Sequence, residues 1–185
     1  FYLIGTAEHA LVPMHKDEIL EEKDLPKRYV GFSSAFRKES GSYGKDTRGI
    51  FRVHQFAKAE MVSLVKPENS DQEHEKLLSL AEKMVQALEL PYRVIKICTG
   101  DLSFPTAKAY DIECWIPSQE KYRETHSVSN CTDFQARRLN IKYKNKENKL
   151  NYVHILNGTA FAVGRMIIAI MENNPFREQL KQHVF

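Results

Sequence analysis

Arginine, aromatic and acidic side chains recur in this chain at a spacing that suits the binding of a charged ligand. Phe36-Arg37-Lys38-Glu39 is followed by a Gly-rich turn from Ser40 to Gly49, and then by Ile50-Phe51-Arg52-Val53-His54-Gln55-Phe56-Ala57-Lys58-Ala59-Glu60. Side chains on a strand alternate between faces. Read as a strand, the second run puts Arg52, His54, Phe56, Lys58 and Glu60 on one face and Phe51, Val53, Ala57, Ala59 and Met61 on the other. Arg37 and Glu39 point the same way on the preceding run. A face of cations, a carboxylate and an aromatic ring, backed by an apolar face, suits a floor for a charged ligand. A further arginine, Arg165, stands in Ala160-Phe-Ala-Val-Gly-Arg-Met-Ile-Ile-Ala-Ile-Met171, with no other charge until Glu172. A buried guanidinium needs an anion or a π-face, supplied by an internal carboxylate or by the phosphate or ring of a ligand. Gly164 just before it costs helix propensity and permits close backbone approach.

These side chains need a sheet to carry them. Tyr29 to Glu39 and Ile50 to Val65 read as strands, and Tyr2 to Ile4 as a short strand leading to Thr6-Ala7-Glu8. Short helical stretches are expected from His9 to about Met14 and around Glu18 to Glu22. Ser70-Asp71-Gln72-Glu73 is a capping-box pattern. It opens a helix in which Leu77, Leu80, Ala81, Met84 and Leu88 form one buried stripe, ended by Leu90-Pro91. Tyr92 to Cys98 is β-rich, and Lys108 to Ile116 and Lys121 to Ser129 are two further strands around Pro117-Ser118. Asp133 to Arg138 gives one helical turn, Leu139 to Tyr143 and Asn151 to Leu156 a hairpin, and Ala160 to Glu172 a helix. Strands arrive mostly in adjacent pairs. The expected fold class is therefore α+β: an antiparallel β-sheet flanked by helices, these lying on one face.

With 185 residues, 42% of them apolar and 28% charged, the chain suffices for one globular domain with a sizeable core. No run approaches the length that spans a bilayer. The start lacks both Met and the pattern of a signal peptide, and reads as the interior of a longer protein. A net charge of +3 does not demand nucleic acid. The basic residues Arg137-Arg138 and Lys142 to Lys149 read either as a solvated hairpin or as a phosphate-contacting edge. Cys98, Cys114 and Cys131 form neither a zinc pattern nor a disulfide framework, which fits a reducing, cytoplasmic setting. Taken singly, Arg37, Arg52 and Glu60 read as surface ion-pair residues and Phe56 as core, and the Gly-rich turn is not a Walker pattern. Their co-occurrence on one face is what points to a site.

Phe36-Arg-Lys-Glu, the turn and Arg52-Val-His-Gln-Phe resemble motif 2 of the class II aminoacyl-tRNA synthetases, and Asn157-Gly-Thr-Ala-Phe-Ala-Val-Gly-Arg165 resembles their motif 3. Leu90-Pro-Tyr-Arg-Val, Cys98-Thr-Gly-Asp, Tyr110-Asp-Ile-Glu-Cys-Trp and Tyr122-Arg-Glu-Thr-His-Ser-Val-Ser-Asn-Cys-Thr-Asp-Phe-Gln-Ala-Arg-Arg narrow the resemblance to the seryl-tRNA synthetases, from Phe1 to about Asn174. It implies that Thr6, Ala7 and Glu8 form a serine-binding turn, with Arg37, Glu60, Asn157 and Thr159 also on the serine side. Arg37, Lys38 and Glu39 would meet the α-phosphate and adenine amino group of ATP. Val53 would make a backbone contact to ATP, and Phe56 would lie beneath adenine, with Arg165 above it. Glu124, Thr125, His126 and Ser127 match the nucleotide segment, with Glu124 and Ser127 as ligands of Mg²⁺. Arg37, Arg52 and Arg165 are the implied catalytic cations.

The implied reaction is activation of L-serine by ATP to seryl-adenylate, then transfer to tRNA(Ser), in a homodimeric, membrane-independent enzyme. His54 is read as structural, because a serine carboxylate needs no general base. Glu124 and Ser127, three apart, face opposite ways on a regular strand; if both reach one metal, the strand must bulge. Residues 1–174 read as a partial catalytic domain and 175–185 as a divergent tail, with the family's amino-terminal tRNA-binding arm and motif 1 absent. The rival expectations are an inactive paralogue used for binding or assembly, and a homologue that loads a carrier protein. Retention of all three arginines weighs against the first, and the lack of a Cys/His zinc cluster against the second.

Overall fold

The computed structural model describes residues 2–39 and 49–174. In chain order these form α1 (Glu8–Leu11), β1 (Ile19–Glu21), β2 (Lys27–Phe36), β3 (Gln55–Val65), α2 (Ser70–Ala87), β4 (Tyr92–Lys96), β5 (Lys108–Ile116), β6 (Lys121–Asn130), α3 (Phe134–Leu139), β7 (Lys142–Lys144), β8 (Leu150–Tyr152), β9 (His154–Ala162) and α4 (Val163–Asn173). Short 3₁₀ turns join several of them. Ser40 to Arg48 of the Gly-rich turn and the tail from Pro175 lie outside the described residues.

Six strands make one sheet in the order β2-β3-β9-β6-β5-β4, and every neighbouring pair is antiparallel. Alternation along β3 and β9 sends Met61 and Leu156 to one face and Val62 and Ile155 to the other. Met61 and Leu156 pack with Leu77, Leu78, Ala81 and Val85 of α2 and with Met166 and Ala169 of α4. Val62 and Ile155 pack with Val12, Ala136 of α3, Leu20 of β1 and Tyr143 of β7. The expected α+β architecture is present, but helices cover both faces rather than one. Gly31 on β2 eases this on the second face: a Cβ there would lie 3.1 Å from the Ala7 Cβ and from Leu11, so α1 would have to give by a few tenths of an ångström. No helix among the described residues is long and apolar enough to cross a membrane.

Several expected elements shift. Tyr2 to Ile4 forms no strand, although the Ile4 carbonyl accepts from Phe36 N at 2.9 Å. Around Glu18 to Glu22 the chain makes β1 and a 3₁₀ turn instead of a helix, because Ile19–Glu21 finds a parallel partner in β7. The expected hairpin is β7 with β8, and Leu156 belongs to β9. Ala160 to Ala162 complete β9, so α4 starts at Val163. The buried stripe of α2 runs through Ser70, Glu73, His74, Leu77, Leu78, Ala81 and Val85, whereas Leu80 and Leu88 are each 38% exposed. Polar residues with tertiary partners fill its first turn. Ser70 Oγ accepts from Asn130 Nδ2 at 2.7 Å, and Glu73 accepts from Arg28 at 2.6 and 2.7 Å and from Ser63 at 2.9 Å. The capping-box residues therefore tie α2 to the sheet rather than cap it. Around the Lys-rich tip the charge is mixed: Lys66 pairs with Glu22 at 3.1 Å, and Lys146 N donates to the same carboxylate.

Burial holds His74, His126 and His154 below the usual imidazole value, His126 down to about 4 from 6.5. A base with a depressed folded pKa contributes stability that is full above its unfolded value and is lost as pH falls toward the folded one. Over its whole titration His126 alone accounts for on the order of 3 kcal/mol. Asp111, whose carboxyl is raised to about 6, stabilises the fold as pH falls over the same interval, so the test is a difference: the fall in urea midpoint from pH 7 to pH 5 should be smaller in His126→Asn than in the parent, and an equal fall in both would show that the His126 imidazole is not held neutral.

Candidate active site

A cavity of about 260 Å³ opens on the sheet face opposite α2 and α4, and every wall comes from a different part of the chain. Arg37 and Glu39 enter as the chain leaves β2. Phe56 and Lys58 come from β3, Glu124, Thr125 and Ser127 from β6, Thr159 from β9, and Gly164 and Arg165 from α4. Phe51, Arg52 and Val53 enter together, which corrects the alternation expected for them. β3 begins only at Gln55; beyond the Phe36↔Gln55 pair the chain leaves the sheet, so strand periodicity does not govern residues 50–54. His54 Nδ1 donates to the Arg37 carbonyl at 3.0 Å, a structural tie that splices this segment to the end of β2.

The three arginines are each held differently. Arg37 lies over Phe56, 5.2 Å from the ring centroid, and its Nε donates to the Gly5 carbonyl at 3.1 Å. Arg52 pairs with Glu39 at 2.5 Å. Arg165 pairs with the Glu124 carboxylate at 3.1 Å, donates to the Glu124 carbonyl at 2.9 Å, and lies 4.9 Å from the Phe51 ring. Both ways of satisfying a guanidinium in an apolar helix are thus used, with Glu124 as the carboxylate and Phe51 as the ring. Gly164 permits the approach: a Cβ there would meet the Ile50 carbonyl oxygen at 3.3 Å.

Glu124 and Ser127 both reach the cavity because β6 bulges between them. Ile112 is opposite His126 and Glu113 is opposite Glu124, which leaves Thr125 as the extra residue. The Thr125 hydroxyl turns inward, within 3.2 Å of the Ile112 carbonyl, 2.9 Å of His126 Nδ1 and 3.3 Å of Cys114 Sγ. Asp111 stands opposite Ser127 on β5. Burial and the nearby Glu124 charge raise its carboxyl to about 6, against the opposing pull of Ser127 and Arg165. An excess of carboxylate beside a hydroxyl suits a hard cation that takes its remaining ligands from phosphate and water, so Glu124 and Ser127 fit the expected Mg²⁺. Among the described residues no three His, Cys, Asp or Glu side chains form a site by themselves.

Lys58 and Thr159 line the cavity and also border an acidic cluster, the compartment of Glu60 and Glu8. Glu60, 2% exposed, stands opposite Thr159, pairs with Lys58, and accepts from Thr6 Oγ1 at 3.4 Å. Glu8 Oε1 accepts from Gln135 at 2.6 Å and from Asn157 at 3.2 Å. Burial pushes the Glu60 carboxyl up, Lys58 pulls it down, and Glu8 adds to the rise. Ala7 is buried and serves as packing against Gly31. Two expected nucleotide contacts are not brought to the cavity: Lys38 points to solvent, and His126 is fully buried beneath the bulge. Sequence reasoning gave no role to Lys58, Phe51, Arg123 or Gln135. The parity of Lys58 with Glu60 was a usable signal. Nothing local marks Arg123, 4.0 Å from the Phe51 ring, or Gln135.

An antiparallel six-stranded sheet that carries a motif 2 arginine, a motif 3 arginine and an acidic cluster defines the catalytic core of a class II aminoacyl-tRNA synthetase. The chain belongs to the family described as tRNA synthetase class II core domain (G, H, P, S and T), which it matches over residues 1–174. It is 60% identical over 172 residues to a serine–tRNA ligase of Sulfurihydrogenibium sp., covering 93% of this chain and 41% of that protein. The crystal structure of seryl-tRNA synthetase from Pyrococcus horikoshii complexed with ATP superposes with a TM-score of 0.90 at 58% identity, covering 93% of this chain and 39% of that one. The cytoplasmic serine–tRNA ligase of Naegleria fowleri in complex with AMP gives 0.88 at 41% identity, covering 93% of this chain and 41% of that one. The chain thus spans about two fifths of the length of the curated relatives it matches.

Thr125→Val keeps the side-chain volume but removes the hydroxyl that ties the bulge. A loss of about 1–2 kcal/mol in urea unfolding is expected, because the buried partners are left without it. Thr125→Ser should restore most of this; equal losses in both variants would mean that methyl packing, not the hydroxyl, holds the bulge.

Proposed function

We propose that the protein containing this chain is a serine–tRNA ligase, which activates L-serine with ATP and passes the seryl group to tRNA(Ser). One observation carries the reading. Arg37, Arg52 and Arg165 converge with the Phe51 and Phe56 rings on a single cavity, and Lys58 and Thr159 of that cavity adjoin the buried carboxylate of Glu60, with Glu8 close by. A nucleotide polyanion with a planar base fits the cavity, and a small ammonium-bearing molecule fits beside the two carboxylates. The names of the relatives, and the ATP and AMP held by the two solved neighbours, support the same reading.

The serine carboxylate is ionised at neutral pH, so it attacks the α-phosphorus without a general base. One carboxylate oxygen forms the new bond to phosphorus as the bond to the bridging oxygen of pyrophosphate breaks. Catalysis then rests on holding two anions in line and offsetting the charge on the equatorial oxygens. Arg37, beside Phe56 and the Gly5 carbonyl, is placed for the α-phosphate. Arg52 and Arg165 take the outer phosphates, and Phe56 and the Arg165 plane bracket the base. Mg²⁺, when bound by Glu124 and Ser127, offsets charge on the phosphates. In the second step the terminal ribose hydroxyl of tRNA attacks the seryl carbonyl and AMP leaves. Thr6, Glu60 and Thr159 read the hydroxyl and ammonium of serine. A site built around a hydroxyl discriminates against its absence by about 10⁴, so alanine is rejected, while threonine is excluded by size. The whole enzyme is read as a cytoplasmic homodimer.

Glu60→Gln in the full-length protein should raise the KM for serine in ATP–pyrophosphate exchange by at least about 10²-fold, with ATP affinity measured alone changed by less than about 3-fold. Undiminished serine-dependent exchange in that variant would remove Glu60 from the site. Absence of serine-dependent exchange in the parent protein would remove the proposed activity itself.

A further inference from the structure

Lys58 is 8% exposed, yet its chain forms part of the cavity wall. A lysine so buried needs a partner. It has one in Glu60, two residues away on the same face of β3. The charged groups that face Glu60 are Lys58 on its own strand and Glu8 from α1. Thr6 adds a hydroxyl, and across the strands stand Gly31 of β2 and Thr159 of β9, neither of them charged. The cluster around Glu60 therefore holds two carboxylates and one ammonium, while Arg37, on the cavity side, is left to offset the substrate's own carboxylate.

We infer that Lys58 is a specificity-determining residue: it leaves the acidic compartment with one net negative charge, enough for a single substrate ammonium, and so rejects substrates whose side chain brings a second cation. This rests on the reading that the compartment takes an amino acid. One α-ammonium entering beside Glu8 and Glu60 brings the compartment to neutrality. Desolvated like charges repel strongly at this separation, so an amino acid of serine's size with an ammonium in place of the hydroxyl would meet Lys58 across Glu60 with no carboxylate left to pair with it. L-2,3-diaminopropionate is that molecule. Without Lys58 the compartment holds two carboxylates and accommodates two ammonium groups. The ion pair thus refuses a charged isostere, which size and shape cannot do.

The test is ATP–pyrophosphate exchange by the full-length protein with L-serine and with L-2,3-diaminopropionate at a pH of about 6, low enough to keep both vicinal amines protonated against their mutual repulsion, read as the ratio of the two kcat/KM values. The parent protein should favour serine by at least about 100-fold. Lys58→Met should narrow that ratio at least about 10-fold by raising the KM for serine and improving the diamine. Lys58→Arg, which keeps the charge, should restore the parent ratio. A purely structural ion pair would depress both substrates together and leave the ratio unchanged, and a phosphate-binding role would raise the KM for ATP instead; either result overturns the inference. Should Lys58→Met fail to fold, Lys58→Gln serves for the same ratio. The parent protein decides on its own as well: diamine activation within about 10-fold of serine defeats the proposal. Parent protein with no serine-dependent exchange defeats the underlying functional reading, a separate and distinguishable outcome.

Discussion

A sheet face normally sheds water by carrying oil, and this one instead carries ions that are compensated before any ligand arrives. Arg52 with Glu39, Arg165 with Glu124, and Lys58 with Glu60 are cation–carboxylate pairs around one cavity. Taking unpaired charges out of water costs several kcal/mol each, so the cavity stands open only because each of these cations has a carboxylate within the fold. Arg37 is satisfied otherwise, by the Gly5 carbonyl and the Phe56 ring. Among the described residues no carboxylate pairs with it, and it lines the cavity where the reading above places the α-phosphate. The pairs also prepare the site for a polyanion. Guanidiniums fixed in advance need little reorganisation when negative charge develops.

Much of this was legible in the sequence, wherever a residue sits on a regular strand. The faces of β3 from Phe56 to Glu60 follow from alternation alone, whereas Asn157 and Thr159 fell between the expected strand and helix and share a face only because β9 runs on to Ala162. Alternation fails where the sheet stops. Phe51 and Val53 were assigned to the apolar face, but the segment before Gln55 has no ladder to hold its phase, so they turn into the cavity with Arg52. The capping-box pattern at Ser70 misled for another reason. Local spacing cannot reveal that Arg28 and Asn130 compete for the same side chains. The stripe on α2 was misplaced by the same blindness, since hydropathy reads Glu73 and His74 as outward when their partners make them inward.

The bulge in β6 was legible only as a conflict. Glu124 and Ser127 share a task implied by resemblance but differ in strand parity, and one extra residue resolves the difference. What the sequence did not show is the cost of keeping that residue in place. Thr125 is 1% exposed and His126 fully buried, consecutive residues that a regular strand would send to opposite faces. The Thr125 hydroxyl, within reach of the Ile112 carbonyl and of His126 Nδ1, ties these two buried polar side chains to each other and to β5.

A second register shift lies at the other wall. Ala59 is opposite Phe161 and Glu60 is opposite Thr159, so Ala160 is the extra residue on β9. Both irregularities of the six-stranded sheet recorded among the described residues border the cavity. Away from it the β2–β3 ladder runs without a shift from Lys27↔Leu64 to Phe36↔Gln55. The distribution has a physical logic. A regular antiparallel sheet offers one face every second residue, too coarse a spacing to aim four or five side chains at an object a few ångströms wide. A bulge changes the phase locally and leaves the ladder on either side intact. With one in each of two strands, β6 presents Glu124 and Ser127 together, β9 sets Thr159 against Glu60, and α4 can begin at once to bring Arg165 over the opening.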